Sequence, residues 1–288
     1  MYREANQHAL EVKKLLQHAG LKATKSLGQH FLADEKYLTA TISAAEITPE
    51  DTIIEIGPGL GVLTGELAKK AGRVIAVEVD GRLVSFLKKR LSPYHNIELV
   101  HADILKTDLS GLLEGQYFYK VVTNLPYYIT SPVLHYFVKA VPRPSLMVVM
   151  VQKEVAEAIT GNAGKMSAFG IGLHVYSRPS IVSYVPAQSF YPAPKVDSAI
   201  VRFDFLPAPA VNVADVEDFL RFVRYGFTSP RKQIRNSLAQ GLSITPGRID
   251  SLLNKAGIES KRRPETLDLH EWERLYMLTN TENLEVFR

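Results

Sequence analysis

Between residues 51 and 151, short runs rich in β-branched residues alternate with helix-length segments, and no other feature restricts the fold as strongly. The runs cover residues 52–56, 74–79, 97–101, 120–123 and 146–151. They are nearly continuous in apolar character, so both faces of each strand are expected to be covered. The segments 62–71, 81–91 and 131–140 are expected to be the covering helices. In 81–91, Leu83, Val84, Leu87 and Leu91 recur at helical spacing, while Lys88, Lys89 and Arg90 are left for water. The pattern predicts a doubly wound α/β fold with a mostly parallel sheet.

Beyond Lys165 the texture changes. Residues 166–176 suit one more buried helix, 180–185 a strand, and 197–205 a second strand with Ala199, Val201, Phe203 and Phe205 on one side. The proline-rich segment 186–194 joins these strands into an expected antiparallel edge hairpin. Two prolines, Pro207 and Pro209, suit residues 207–213 to a linker. Residues 216–225, 230–240, 248–256 and 269–278 are expected to be short helices, separated at Gly226, Gly241, Pro246 and Gly257. The expected organisation is a first domain over 1–206, with 1–30 its basic N-terminal segment, then the linker and an all-helical domain over 214–288.

The chain has no cysteine, which excludes disulfides, thiolate-bound zinc, iron–sulfur clusters and thiol nucleophiles; no metal site is expected. The longest strongly apolar stretch, 146–151, is far short of the ~20 residues of a spanning helix. The N-terminus lacks the apolar centre of a secretory signal, so a cytoplasmic protein is expected. A formal net charge of +4 says little by itself, but its distribution points to an anionic partner. From Phe219 to Ile249 there is no acid, but there are Arg221, Arg224, Arg231, Lys232, Arg235 and Arg248. Arg231 and Arg235, four apart, are expected on one helix face. Residues 12–30 likewise carry Lys13, Lys14, Lys22 and Lys25 without an acid.

Three motifs carry chemistry. Glu55-Ile-Gly57-Pro-Gly59-Leu-Gly61 follows the first strand and opens a helix, where glycines let the backbone turn sharply and approach a ligand. Val62 stands where the dinucleotide fingerprint needs its third glycine, which disfavours a nicotinamide enzyme. Glu78 ends the second strand, where a carboxylate accepts both hydroxyls of a ribose. Asp103 follows the third strand, within expected reach of an adenine amine. Each acid singly also suits a helix cap or surface charge; in register after successive strands they suit an adenosine-type cofactor.

The second motif, Asn124-Leu125-Pro126-Tyr127, closes the fourth strand. As a bare turn it needs no chemistry. As a site, the Asn124 amide oxygen and the Leu125 carbonyl accept the two N–H groups of an exocyclic aromatic amine and turn its lone pair toward an electrophile. Pro126 stiffens the turn, and Tyr127 offers a face on which a base stacks. The third motif, Phe190-Tyr-Pro-Ala-Pro-Lys-Val-Asp-Ser198, is expected to set Phe190 opposite Tyr127, so that two rings clamp an extruded base.

These motifs, with Lys25-Ser-Leu-Gly-Gln-His30-Phe-Leu32, His101-Ala-Asp103 and Arg231-Lys-Gln-Ile-Arg235-Asn-Ser-Leu238, occur in a familiar order. Over roughly residues 20–275 the chain resembles the bacterial small-subunit ribosomal RNA adenine dimethyltransferases. The resemblance implies a class I S-adenosylmethionine-dependent methyltransferase fold, Rossmann-like, with a helical C-terminal domain. It implies S-adenosylmethionine held by His30, Leu32, Gly57, Gly59, Glu78, Asp103 and Asn124. Catalysis would rest on Asn124, Leu125, Pro126, Tyr127 and Phe190, and RNA contacts on Lys22, Lys25, Arg221, Arg224, Arg231, Lys232 and Arg235. The implied reaction dimethylates N6 of two adjacent adenines in the 3′-terminal hairpin of 16S RNA, on the RNA or the immature small subunit, by a monomer. Many relatives have Asn where His30 stands, and Arg where Pro230 stands. Two other readings compete: a large-subunit adenine methyltransferase conferring macrolide resistance, and a non-catalytic RNA-binding assembly factor on the same fold.

Overall fold

A central sheet takes the strand order β4-β3-β2-β5-β6-β9-β7. Its strands are β2 (Thr52–Ile56), β3 (Arg73–Glu78), β4 (Ile97–His101), β5 (Lys120–Asn124), β6 (Leu146–Gln152), β7 (Ser177–Val185) and β9 (Ser198–Phe205). A separate ribbon pairs β1 (Phe31–Leu32) with β8 (Phe190–Tyr191). The computed structural model describes residues 2–24, 27–161 and 166–281, with side chains between 10 and 279 of that set. Contacts divide the chain into one unit of residues 1–156 and 180–205 and a second of residues 157–179 and 206–288.

In the first unit, β4, β3, β2, β5 and β6 are parallel, with registers such as Ile54 opposite Ile75 and Val122 opposite Val148. β2 is buried throughout and β6 through Val151, as continuous apolar runs require. β9 joins antiparallel to β6, from Leu146 opposite Asp204 to Gln152 opposite Ser198, and β7 forms the outer edge. Helices Val62–Ala68, Gly81–Arg90 and Thr130–Lys139 follow β2, β3 and β5, as their sequence spacing predicts. Asp80 starts helix Gly81–Arg90 by accepting from Arg82 N at 3.1 Å, and Asp34 likewise starts a helix over Glu35–Ala44 through Lys36 N at 3.0 Å.

The second unit is built on helices Val216–Gly226, Ile234–Leu242, Pro246–Lys255 and Leu269–Thr281. Phe219, Phe222, Leu253 and Trp272 are fully buried at its centre. The Trp272 ring meets Phe222 edge-on at 6.1 Å. A Cβ on Gly226 would stand 2.2 Å from the Trp272 ring. Gly226→Ala therefore forces the indole out of its slot and is expected to destabilise this unit by about 1–3 kcal/mol, read as a lowered thermal midpoint.

Packing divides the chain differently from the sequence expectation. Helix Ala168–Tyr176, assigned from its sequence to the first 206 residues, buries Ile171 and Val175 in the same core as Phe219 and Trp272. Nor is 207–213 a free connection: Val211 is buried there, and Ala210 N donates to Val175 O at 2.7 Å. A helix that is apolar all round announces burial but not the partner that buries it.

The expected helix 230–240 begins four residues late. Lys232 N closes a turn on Ser229 O at 2.9 Å, and Ile234, fully buried, donates its N–H to Arg262 O at 2.7 Å. That tertiary bond sets the start of the helix, so Arg231 sits in the preceding turn and does not share a helix face with Arg235. Among the described residues no helix is long and apolar enough to cross a membrane.

Candidate active site

The strand order reverses between β2 and β5, and at such a point the loops leaving the carboxyl ends diverge and open a crevice. Here it is a cavity of about 380 Å³. The Gly57–Gly61 loop leaves β2 and Asn124–Tyr127 leaves β5. A Cβ on Gly57 would lie 3.7 Å from Pro126 Cδ, so the two loops touch. Gly59 has φ +58°, and a Cβ there would stand 3.1 Å from the Phe31 ring. Glycine lets the loop pass under that ring.

His30, Leu32, Gly57, Gly59, Glu78, Asp103 and Asn124 all line the cavity, as do Leu125, Pro126 and Tyr127. The segment carrying His30 is tied down nearby. Gln29 Nε2 donates to Asp80 Oδ2 at 3.3 Å, and the Arg82 guanidinium bridges Asp80 at 2.6 Å and Thr24 Oγ1 at 2.8 Å. Arg82 also holds the Asp80 carboxyl below its ordinary range.

Glu78 is buried, with Oε1 accepting from Asp80 N at 2.9 Å. Burial pushes its carboxyl upward, and backbone N–H groups of Asp80, Gly59 and Val79 oppose that. Asp103 caps the turn Ile104–Lys106 through Leu105 N at 3.1 Å, and Lys106 Nζ lies 3.7 Å from its other oxygen. The cap and the cavity position coexist in one residue. Thr123 Oγ1 donates to Ile56 O at 2.5 Å and pins the end of β5 against β2. Among the described residues none hydrogen-bonds the Asn124 side chain, which leaves its amide open to a ligand.

Tyr127 is held at both ends. Its hydroxyl shares a 2.7 Å hydrogen bond with Ser198 Oγ, and its ring lies parallel to that of His30 at 5.8 Å and 23°. His30 Nδ1 sits 2.6 Å from Pro192 O. The expected clamp of Tyr127 and Phe190 is not formed. Phe190 pairs with Leu32 across the β1–β8 ribbon, is 2% exposed, and packs in the core with Met150 and Ile200 rather than lining the cavity. Strand alternation sends it inward, and the ring beside Tyr127 is His30.

Glu55 escaped the sequence reading, although it stands in the glycine motif. It is fully buried, lines the cavity, and its Oε2 has no hydrogen-bond partner among the described residues. Burial pushes its carboxyl up to about 8, with repulsion from Glu78 adding to this and the Thr64 hydroxyl opposing it. The available signal was a single carboxylate inside a strand buried on both faces.

Of the cations expected to meet RNA, Lys22 is exposed and Lys25 lies outside the described residues. In the helical unit, Arg224, Arg231 and Lys232 are exposed, and none has an acid partner among the described residues. Arg221 pairs with Asp218, and Arg235 with Asp250 at 2.8 Å. Acids bordering the basic run in sequence thus return to neutralise two of its members. Among the described residues no cluster of three or more His, Asp or Glu suits a metal ion.

The donors and acceptors fit a ligand with vicinal hydroxyls, an aromatic amine and an ammonium group. Glu78 suits the hydroxyls, Asp103 the amine, and the orphaned Glu55 oxygen the ammonium. Comparison with known proteins agrees with that chemistry. Residues 20–280 match the family described as ribosomal RNA adenine dimethylase. A relative from Dehalococcoides mccartyi, ribosomal RNA small subunit methyltransferase A, is 47% identical over 95% of this chain and 94% of its own. One of the same name from Clostridium botulinum is 39% identical over 92% and 97%. Among solved structures, the 23S rRNA methyltransferase ErmE aligns with a TM-score of 0.73 at 30% identity, over 87% of this chain and 99% of that one. A dimethyladenosine transferase from Plasmodium falciparum aligns with 0.71 at 26%, over 88% and 98%. With the glycine loop, Glu78, Asp103 and Asn124–Tyr127 gathered around one crevice, and the match running through both units, the chain belongs to the ribosomal RNA adenine dimethylase family.

Proposed function

We propose that this protein transfers methyl groups from S-adenosylmethionine to N6 of two adjacent adenines in the 3′-terminal hairpin of small-subunit ribosomal RNA during small-subunit biogenesis. The observation that carries this reading is the open Asn124 amide beside the Leu125 carbonyl and the Tyr127 ring, at the mouth of a crevice suited to an adenosine ligand. His30, Leu32, Gly57, Gly59, Glu78 and Asp103 would hold the cofactor, together with Glu55. When bound, the cofactor supplies an electrophilic methyl group on a sulfonium.

The residues of this chain then need to orient and polarise a weak nucleophile. The adenine N6 lone pair is delocalised into its ring. Accepting both N–H bonds at Asn124 Oδ1 and the Leu125 carbonyl localises that pair on nitrogen and aims it at the methyl carbon. The new C–N bond takes the nitrogen lone pair, and the broken C–S pair stays on sulfur. The resulting N-methyl arylammonium is acidic enough to lose its proton to water, so no general base is required. Tyr127 fixes the base plane, with its own ring held by Ser198 and His30. The monomethylated amine keeps one N–H for the same acceptors, and the geometry serves a second transfer.

Greater identity to small-subunit enzymes, 47% against 30% for ErmE, supports the small-subunit substrate over the large-subunit one. Incubating the protein and labelled S-adenosylmethionine with unmodified small- or large-subunit RNA tests this. Label is expected on the small-subunit substrate; label on large-subunit RNA alone would favour the macrolide-resistance reading, and none on either the assembly-factor reading.

In the helical unit, Arg224, Arg231 and Lys232 are the cations best placed for phosphate contacts. Each contact removed is expected to reduce the salt slope of RNA binding by roughly 0.7–0.9. Arg231→Ala with Lys232→Ala should therefore weaken and flatten binding more than Arg235→Ala, whose charge is committed to Asp250 at 2.8 Å. Affinities across a salt series decide it.

A further inference from the structure

A short chain of contacts leads from the target-base site to an exposed aromatic ring that the reaction does not use. Tyr127 is hydrogen-bonded to Ser198 at 2.7 Å. The preceding residue, Asp197, accepts at its carbonyl from Lys153 N at 3.0 Å. Lys153 begins the helix after β6, and its Nζ lies 5.3 Å from the ring centre of Tyr184. Tyr184 is the penultimate residue of the edge strand β7, and the lysine at its ring follows directly on the carboxyl end of β6. It is 46% exposed, and Val182 beside it on the same strand face is 41% exposed. An exposed tyrosine with an ammonium at its face, on a strand edge, is a platform for a flat, anionic-backboned ligand.

Charge around the ring suits that ligand. Lys153, at the ring, is exposed and has no acid partner among the described residues. Of the acids beside Lys153, Asp197 has its carboxylate taken by Ala187 N at 2.9 Å, and Glu154 follows Lys153 in the helix. An adenine drawn out of an RNA loop brings its neighbours with it, and those bases lose their own stacking partners. We infer that Tyr184, with Lys153, forms a second base site that stacks the nucleotide flanking the target adenine and holds its phosphate. This inference rests on the RNA-methyltransferase reading above and adds a binding site to it.

Tyr184→Leu keeps an apolar, strand-compatible side chain and removes the π-face, whereas Tyr184→Trp enlarges it. The Leu variant is expected to raise the KM for the RNA about tenfold, at unchanged kcat and unchanged S-adenosylmethionine affinity. The Trp variant should match or improve on the wild type. Replacing the base on one side of the target adenine by an abasic unit should raise the wild-type KM similarly, and the loss should not add to that of the Leu variant. Equal KM values for wild type, Leu and Trp would overturn the second site. So would abasic and Leu losses that simply add, the result expected if the ring instead contacts a protein. A wild type that methylated no RNA would overturn the reading beneath it as well.

Discussion

Asn124→Ala is expected to reduce methyl transfer by at least 10³-fold while leaving RNA affinity within a few fold of wild type. The amide oxygen is one of two acceptors that localise the N6 lone pair, and removal of one such preorganised acceptor costs on the order of 10²–10³ in turnover. Here that loss is compounded because Asn124 also lines the cavity proposed for the cofactor. Single-turnover rates at saturating cofactor separate the two contributions. Tyr127→Phe is a useful contrast. It keeps the stacking face but loses the 2.7 Å tether to Ser198, so a modest loss is expected, larger than for a ring that only stacks and far smaller than for Asn124→Ala. Equal inactivity of the two variants would move the chemistry from the amide to the phenol.

Glu55→Gln is expected to make the cofactor-free protein more stable at pH 8, and stability less dependent on pH between 5 and 8. The carboxyl titrates at about 8 in the folded protein because burial disfavours its charge, against the ordinary 4.5 when unfolded. With the folded value raised, the protonated fold is favoured at low pH, and stability falls as pH rises through that window. At about 1.4 kcal/mol per unit, the total is on the order of a few kcal/mol. Glu78, raised in the same direction, stays in both proteins, and because the two carboxyls repel each other the difference reports Glu55 together with that coupling. Asp80, held low by Arg82, acts in the opposite sense and only below pH 4, outside the window. Denaturant midpoints at pH 5, 6.5 and 8 measure this; parallel pH profiles for the two proteins would show that Glu55 is ionised in the fold. A bound ammonium would favour the charged carboxylate, so the same substitution should weaken cofactor binding more at pH 8 than at pH 6.

Much of the first unit is legible in the sequence because its signals are local. Strands β2, β3, β5 and β6 are nearly continuous apolar runs, and the Gly57 loop and Asn124–Tyr127 sit at the ends of β2 and β5, where the crevice of a doubly wound sheet must lie. What was illegible depends on pairing at a distance. The ribbon of Phe31–Leu32 with Phe190–Tyr191 is two residues long on each side, too short to carry a period, yet it decides that Phe190 points into the core. His30 reaches Tyr127 only because that ribbon forms. Helix Ala168–Tyr176 is apolar enough for either unit, and the helices that claim it begin 40 residues further along the chain, at Val216. In the helical unit, Asp250 meets Arg235 across two helices, so a run without acids in sequence is partly neutralised in space.

Asn124, Leu125 and Tyr127 are proposed to present an adenine N6 to S-adenosylmethionine at this crevice. The most direct measurement is nucleoside-resolved mapping of methylation on small ribosomal subunits that lack the modification, after incubation with this protein and S-adenosylmethionine. The expected product is N6,N6-dimethyladenosine at two adjacent positions of the 3′-terminal hairpin, absent with Asn124→Ala. Methylation of another atom or another base, or an unmodified hairpin after full incubation, would contradict the account.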